Sequence, residues 1–287
     1  MRRLRTVLIA LLALLAVGTV VPSTASAITG GTEDTANRYP NVGLLVFYDD
    51  GGRFRCSGTL VSPTVVLTAG HCTFGTDGKT IVTFQQDVAR TPAQAGNLPA
   101  APDPAAGFTG GGLPAGWYSG TAYTHPDYSD FTDLDTWNDV GVVVLDQAIT
   151  GIAPATVAPE GYLEQFAQPR LNSTLFTVVG YGTEVRKPVS GPQKPTPMSF
   201  PLVRRYTDAV GQKLTPQILQ VNGNEHDTRG GGGSCFGDSG GPTFKDGYVV
   251  TVTSYGYTAN CRYLDGLQRV DIAGVQDWLA SFDVPIG

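Results

Sequence analysis

The chain has 287 residues, of which 41% are hydrophobic, and its formal net charge at pH 7 is −6. This length and apolar content suffice for one large hydrophobic core or two smaller ones. The acidic balance argues against nucleic acid or an anionic membrane as a partner, because both require clustered lysine and arginine side chains.

The first 27 residues have the pattern of a secretory signal peptide. Three arginines lie within the first five residues, residues 7–17 are apolar, and Ala-Ser-Ala at 25–27 is a small-residue cleavage site. The apolar run is too short to predict a membrane span. Removing this segment takes away three arginines and no acidic residue, so the net charge changes from −6 to −9. We therefore predict a secreted, extracellular monomer with no membrane anchor.

Short strands separated by turns dominate the part of the chain that follows. Residues 91–120 are rich in Ala, Gly and Pro and predict a long insertion within the first half of the fold rather than a linker between independent domains. The predicted strands of this half are 41–48, 54–60, 65–68, 121–125 and 140–145.

The second half continues in the same way. Residues 148–170 are predicted to cross to a second barrel, and the five prolines of 187–201 predict an exposed flexible loop. Strands are predicted at 175–179 and 248–254. Frequent short strands with Gly/Pro turns predict an all-β fold, a barrel or a sandwich. One helix is predicted from apolar residues at helical spacing: Ile272, Val275, Trp278, Leu279 and Phe282.

The densest run of glycine surrounds one serine. Seven of the twelve residues from 230 to 241 are glycine, and Ser239 lies in Gly-Asp-Ser-Gly-Gly at 237–241. Glycine lets the backbone turn sharply and approach a ligand closely. Such a turn presents a hydroxyl and aims backbone N–H groups at one point, as a nucleophile with an oxyanion hole requires. An ordinary serine in a surface turn gives the same pattern, so the rest of the chain has to decide.

A serine hydroxyl is a weak nucleophile unless a base takes its proton and a carboxylate orients that base. The three histidines, His71, His125 and His226, all precede Ser239. This order excludes an α/β-hydrolase, whose histidine follows the serine. His71 directly follows an apolar strand and is the predicted base, whereas His125 and His226 are predicted near strand ends or on the surface.

Two motifs together resemble the trypsin/chymotrypsin family of serine proteases. They are Thr-Ala-Gly-His-Cys at 68–72 and Gly-Asp-Ser-Gly-Gly-Pro at 237–242, and the resemblance covers nearly the whole chain after residue 27. The family has an aspartate before a buried apolar strand, which Asp139 matches. The order His, Asp, Ser is that of chymotrypsin. The aspartates that match less well are Asp133, Asp135 and Asp146.

The resemblance implies an all-β fold of two Greek-key antiparallel β-barrels with a C-terminal α-helix. Residues 28–287 would form one peptidase domain after the signal peptide at 1–27. The barrels would span about 28–147 and 171–270, and the helix about 271–283.

The same resemblance implies an endopeptidase that hydrolyses proteins or peptides through an acyl-enzyme. Ser239 would attack the carbonyl, His71 would take and return the proton, and Asp139 would orient the imidazole. The N–H groups of Gly237 and Ser239 would form the oxyanion hole. No metal or cofactor is required. A non-catalytic binding homologue and an esterase with the same triad are the alternatives.

Four cysteines in a secreted chain predict two disulfides, with three possible connectivities. The resemblance implies Cys56–Cys72 and Cys235–Cys261. A zinc site is not expected, because no two cysteines have the close Cys-x-x-Cys spacing.

The resemblance also implies a substrate pocket. Trypsin-like members carry an aspartate at the base of this pocket to bind Arg or Lys, but here the position is Gly233. We therefore expect the enzyme to prefer substrates with apolar or aromatic side chains in this pocket. Gly256 would leave the mouth of the pocket open. Asp265 leaves an alternative, because its carboxylate in the pocket wall would restore a basic preference. The predicted pocket residues are Gly233, Ser234, Phe236, Ser254, Tyr255 and Gly256.

Finally, the resemblance implies activation by a new N-terminus. In the family, the freed amine of an Ile folds inward and pairs with the aspartate before the nucleophile. The matching residues are Ile28, which starts Ile-Thr-Gly-Gly, and Asp238. The predicted signal-peptidase site directly precedes Ile28, so export itself would activate the enzyme.

Overall fold

The structure is a computed structural model that describes residues 28–185 and 198–287. The predicted signal peptide at 1–27 lies outside the described residues. So does the predicted loop at 187–201, apart from its last four residues. Within the described part of the chain, no helix is long and apolar enough to cross a membrane.

The first half of the chain forms a closed antiparallel barrel. Its strands and two flanking short ones are β1 (Thr32–Glu33), β2 (Val42–Asp49), β3 (Gly52–Ser62), β4 (Val65–Thr68), β5 (Asp77–Thr83), β6 (Asp87–Ala89), β7 (Trp117–Thr124) and β8 (Gly141–Leu145). The barrel runs in the order β2-β3-β4-β8-β7-β5.

The second half forms another six-stranded barrel. Its strands and flanking short ones are β9 (Thr156–Val157), β10 (Leu175–Gly180), β11 (Glu184–Val185), β12 (Met198–Ser199), β13 (Leu202–Val203), β14 (Arg205–Leu214), β15 (Ile218–Asn222), β16 (Pro242–Lys245), β17 (Tyr248–Gly256) and β18 (Leu264–Arg269). The order is β14-β10-β16-β17-β18-β15, and it closes because β15 pairs with both β18 and β14. Strand β1 adds to β14, so this segment joins the second sheet although it falls in the range predicted for the first barrel.

Helices are short and few in the described residues. Helix α1 is Pro92–Gly96 and helix α2 is Ala273–Ala280, and single 3₁₀ turns occur at Gly70–Cys72, Tyr162–Phe166 and Arg170–Ser173. Helix α2 packs its Val275 and Leu279 against Val249 and Val252 of β17. The predicted C-terminal helix is therefore present, but it is shorter than the predicted 271–283.

Strand β2 shows how the two barrels share a core. Every residue from Val42 to Tyr48 is buried. A strand with only one face in a core would alternate buried and exposed residues, so both faces of β2 are covered. Leu45 and Phe47 pack inside the first barrel, whereas Leu44 packs with Val179 of the second barrel. Successive side chains of a strand point to opposite faces, so β2 contributes to both cores. The two barrels therefore meet along β2, and the groove between them lies at this contact.

The strands predicted from the sequence are present, with two kinds of difference. Strand β7 begins at Trp117, inside the stretch predicted as an insertion, because residues 117–120 pair with β5. Composition alone did not show this pairing. The barrel strands that sequence patterns did not indicate are β5, β14, β15, β16 and β18, and the short strands outside the two barrels were not indicated either.

A buried ion pair joins the two barrels to the N-terminal segment. Arg204 and Asp34 are both fully buried, with 2.9 Å between Nε and Oδ2. The Arg204 Nη1 group also donates to the carbonyl oxygens of Val42, at 3.0 Å, and Phe84, at 3.2 Å. A buried guanidinium is tolerated only when it is paired and hydrogen-bonded in this way.

Replacing Asp34 tests this pair. Asp34→Asn leaves the Arg204 charge buried without a counterion, so we expect a loss of about 3–5 kcal/mol in the free energy of unfolding, measured by urea titration with the disulfides intact. The control is Asp87→Asn, which removes a carboxylate from the half-exposed Arg90 and should cost less than about 1 kcal/mol. Equal small losses in both variants would contradict a stabilising role for the buried pair.

Candidate active site

Strand β4 ends next to the predicted base. Its last residue, Thr68, is followed by the 3₁₀ turn Gly70–Cys72, and the Cys56–Cys72 disulfide ties this turn to β3. The side chain of His71 is 22% exposed, so one edge of the imidazole faces the groove.

Asp139 binds His71 through two hydrogen bonds. Asp139 is fully buried, and its Oδ1 accepts from the His71 backbone N–H at 2.8 Å. Its Oδ2 lies 2.9 Å from His71 Nδ1 and accepts from Ser254 Oγ at 2.6 Å. Because a carboxylate can only accept, Nδ1 carries the proton and Nε2 is left to accept one.

Two further residues hold Asp139, and neither was predicted from the sequence. The Trp137 Nε1–H donates to Ser254 Oγ at 2.9 Å, and the Asp139 backbone N–H donates to Gln268 Oε1 at 3.1 Å. Trp137 lies two positions before Asp139, which is a weak signal. Gln268 is 129 residues away from Asp139, and no local pattern marks it. Ser254 was predicted as a pocket residue, and the structure adds its bond to Asp139.

The turn that carries Ser239 packs against the histidine turn. Gly240 has a φ of +73°, and a Cβ there would lie 2.0 Å from Thr68 Oγ1 and 2.7 Å from the Ala69 nitrogen. Only glycine permits this conformation and this approach. The Ser239 carbonyl accepts from the Ser57 N–H at 2.8 Å. Among the described residues no hydrogen bond joins Ser239 Oγ to His71; in ligand-free sites such bonds are often long and tighten on substrate binding.

The predicted oxyanion donors are available. Within residues 28–185 and 198–287, the N–H groups of Gly237 and Ser239 have no hydrogen-bond acceptor. Gly237 has a φ of +96°, and its carbonyl accepts from Ser57 Oγ at 2.9 Å. This bond fixes the turn at Gly237, and the two N–H groups remain available to a ligand oxygen.

Asp238, between these two donors, is fully buried. Its Oδ1 accepts from the Gly182 N–H at 2.7 Å and its Oδ2 from the Cys235 N–H at 2.9 Å. Burial raises the pKa of Asp238 to about 7, although these bonds and the charges of Arg55 and Arg205 act in the opposite direction. Within residues 28–185 and 198–287 no ion pair to Asp238 forms, so the two arginines act on it only from a distance.

Ile28 reaches the same region. It is fully buried with a φ of +53°, and the Gly31 N–H donates to its carbonyl. Thr29 forms an antiparallel bridge with Gly233, five residues before Asp238. In the full-length chain the Ile28 nitrogen is an amide, and within the described residues it makes no hydrogen bond to Asp238.

A cavity of about 380 Å³ lies beside Ser239. Five predicted residues line it: Ser234, Phe236, Ser254, Tyr255 and Gly256. Phe236 is 58% exposed at the rim. The sixth predicted residue, Gly233, lies behind the wall.

Asp265 occupies the space that a side chain at position 233 would need. A Cβ on Gly233 would lie 2.4 Å from Asp265 Oδ2, and that oxygen accepts from the Ser234 N–H at 2.6 Å. Its other oxygen is 3.6 Å from the Cβ position of Gly256. Burial raises the pKa of Asp265 to about 7. Asp265 is itself almost fully buried and does not line the cavity; its carboxyl group lies behind the lining residues Ser234 and Gly256, so a basic preference stays an open alternative.

Both disulfides have the connectivity that the resemblance implied, Cys56–Cys72 and Cys235–Cys261. The ligand atoms of Cys56, His71 and Cys72 lie within 4.8 Å of one another. Disulfide sulfurs cannot act as thiolate ligands, and His71 Nδ1 is engaged by Asp139, so this group does not fit a metal.

Comparison with known proteins identifies the family. The fold and the site define a chymotrypsin-like serine protease, and the sequence profile described as Trypsin matches residues 28–100 and 116–279. The chain therefore belongs to the trypsin family and is a serine endopeptidase. The unmatched residues between these two ranges fall within the predicted insertion at 91–120.

Individual relatives are distant but match over most of their length. Brachyurin of Leptuca pugilator is 27% identical over 258 residues, covering 88% of this chain and 97% of that protein. Trypsin 5G1 of Aedes aegypti is 29% identical over 240 residues, covering 80% and 75%. Among solved structures, HL collagenase has a TM-score of 0.61 at 17% identity, covering 89% of this chain and 98% of that one, which concerns the fold alone.

Proposed function

We propose that this serine endopeptidase is secreted and hydrolyses proteins or peptides through an acyl-enzyme formed on Ser239. The observation that carries the proposal is the buried Asp139 carboxylate, which binds both the backbone and Nδ1 of His71 next to the Ser239 turn. A histidine acts as a general base when its Nε2 is free to accept a proton, and this arrangement fixes that tautomer.

Each residue then has one task. His71 Nε2 takes the Ser239 proton as Oγ attacks the carbonyl carbon, and it returns that proton to the leaving amine. Asp139 stabilises the imidazolium that forms between these steps. The free N–H groups of Gly237 and Ser239 bind the oxyanion, a contribution of about 3 kcal/mol per donor in such enzymes. Water then hydrolyses the acyl-enzyme by the same proton transfers in reverse.

Removing the catalytic residues should be severe and non-additive. We expect Ser239→Ala and His71→Ala each to lower kcat by several orders of magnitude, and the double variant to be little worse, because the residues act as a unit. Casein hydrolysis and fluorophosphonate labelling of Ser239 measure this. The control, His226→Ala, changes a histidine whose side chain is 64% exposed and should keep full activity. Labelling without proteolysis would indicate the esterase, and no labelling the non-catalytic binder.

Activation should depend on the new N-terminus. Cleavage before Ile28 would supply an ammonium to the buried Asp238 carboxyl, and losing one partner of such a pair typically costs about 3–5 kcal/mol. We expect Edman sequencing of the secreted, active protein to start at Ile28. A variant with one extra alanine before Ile28 should lose most activity. A different N-terminus in the active protein, or full activity of the extended variant, would contradict this mechanism.

The pocket carboxyl should make side-chain preference depend on pH. With its pKa raised to about 7, Asp265 is neutral below that pH, where apolar residues are favoured, and charged above it, where Arg and Lys gain. We expect the ratio of kcat/KM for cleavage after Arg to that after Phe to rise from pH 6 to pH 9. Using a ratio cancels effects of pH on the triad. In Asp265→Asn the ratio should stay low and flat; a rise that persists there would refute the assignment.

A further inference from the structure

A second cleft, of about 380 Å³, begins where the substrate pocket ends. Phe236 lines both cavities, and Gly237 of the oxyanion turn lines the second. The β2–β3 hairpin of the first barrel supplies Arg53, Phe54 and Arg55 to its walls. A peptide whose residue before the scissile bond fills the pocket must continue past Gly237, so its following residues enter this cleft.

The Arg55 side chain lies half-buried against the oxyanion turn. A Cβ on Gly237 would lie 3.3 Å from Arg55 Nε, and the guanidinium carbon lies 5.8 Å from the centre of the Phe200 ring. Within residues 28–185 and 198–287 the guanidinium makes no hydrogen bond and no ion pair. Burial lowers the pKa of Arg55, and the charge of Asp238 counteracts this. The carboxyl oxygens of Asp238 are themselves held by backbone N–H groups.

Among the described residues, Arg55 has no carboxylate partner, and this distinguishes it from several other arginines of the protein. A half-buried guanidinium without a carboxylate has lost part of its hydration and gains strongly from a planar anionic partner. Arg53, at the same wall, adds a second positive charge, and its one hydrogen bond within the described part of the chain is donated to the Leu98 carbonyl at 3.5 Å. The arginines that do have carboxylate partners include Arg90, Arg204, Arg205, Arg229 and Arg269.

We propose that Arg55 binds a carboxylate carried by one of the two residues after the scissile bond, so that the enzyme prefers acidic sequence on the leaving-group side. This rests on the proposed function, because the orientation of the substrate follows from the pocket and the oxyanion donors. Three rings at the cleft, Phe54, Phe200 and Phe236, are 50%, 54% and 58% exposed and offer apolar contact to the rest of the same residues. The carboxylate can belong to a side chain or to the C-terminus of a short peptide.

The test uses peptides that are identical up to a Phe before the cleaved bond. The two following positions carry Glu, Gln or Lys in turn, with an amidated C-terminus. For the wild-type enzyme we expect kcat/KM to be roughly tenfold higher for Glu than for Gln, and lowest for Lys, since hydrogen bonds between charged groups are the strong ones. The difference should shrink as salt rises.

Arg55→Gln should abolish the difference between Glu and Gln. A chromogenic substrate without residues after the bond does not reach the cleft and therefore measures any effect of the variant on catalysis itself; the ratio of Glu to Gln within each enzyme cancels such an effect. The matched control is Arg170→Gln, which removes the same charge from an exposed guanidinium 5.2 Å from the Phe166 ring, and which should keep the full preference. Equal rates for Glu and Gln in wild type, or a preference that survives Arg55→Gln, would overturn the proposal.

The two carboxylate sources are separated by peptides that end two residues after the bond, as acid or amide. A preference for the acid that Arg55→Gln removes shows that the C-terminus also binds there. Calorimetric binding of the Glu and Gln peptides to Ser239→Ala tests the cleft without catalysis. Tighter binding of the Glu peptide would support the proposed role of Arg55. Failure of the wild-type protein to react with fluorophosphonate would count against the proposed function alone.

Discussion

The carboxylate of Asp139 is the point on which the rest of the site depends. Burying an isolated carboxylate costs several kcal/mol unless hydrogen bonds replace its water. Here the donors come from both barrels: His71 from the first, and Ser254 of β17 from the second. Gln268 of β18 additionally accepts from the Asp139 backbone. His71 and Asp139 both belong to the first barrel, and the second barrel completes the hydrogen bonding around the buried Asp139 through Ser254 and Gln268. Packing of the two barrels thus supports the carboxylate that orients the imidazole.

Ser57 fixes the turn that carries Ser239 by hydrogen bonds, as Asp139 fixes the side chain of His71. Its N–H donates to the Ser239 carbonyl and its hydroxyl to the Gly237 carbonyl, while the Tyr181 N–H donates to that hydroxyl. Both carbonyls are thereby directed at β3, which fixes the backbone of this turn, and the N–H groups of Gly237 and Ser239 keep no acceptor among the described residues. A strand of the first barrel thus fixes the loop of the second barrel that carries the proposed oxyanion donors.

Sequence patterns predicted the parts of this site that are local. The serine and histidine motifs, the strands next to them and the C-terminal helix all have signals within a few residues, and the family resemblance supplied the disulfide pairs. Long-range partners had no such signal: Gln268 is a polar residue within β18, Arg204 lies between β13 and β14, and each is explained by a group more than a hundred positions away. Asp265 was recognised as a candidate, but only pairing of β18 with β17 places it at the pocket.

Two buried carboxyls flank the short segment that links the pocket to the oxyanion hole. The Ser234 N–H binds Asp265 and the Cys235 N–H binds Asp238, and burial raises both pKa values to about 7 from an ordinary value of 3.8. For a carboxyl whose folded-state pKa is raised, stability is greatest at low pH and falls as pH rises through the folded-state value. The two carboxyls therefore lower the stability of the uncleaved chain progressively from about pH 4 to pH 7, and the loss is complete above pH 7. The charge of Asp238 also opposes ionisation of Asp265. An ammonium beside Asp238 would pair with that carboxylate and remove its share of the loss, whereas the pKa of Asp265, raised mainly by its own burial, would stay raised in the cleaved enzyme.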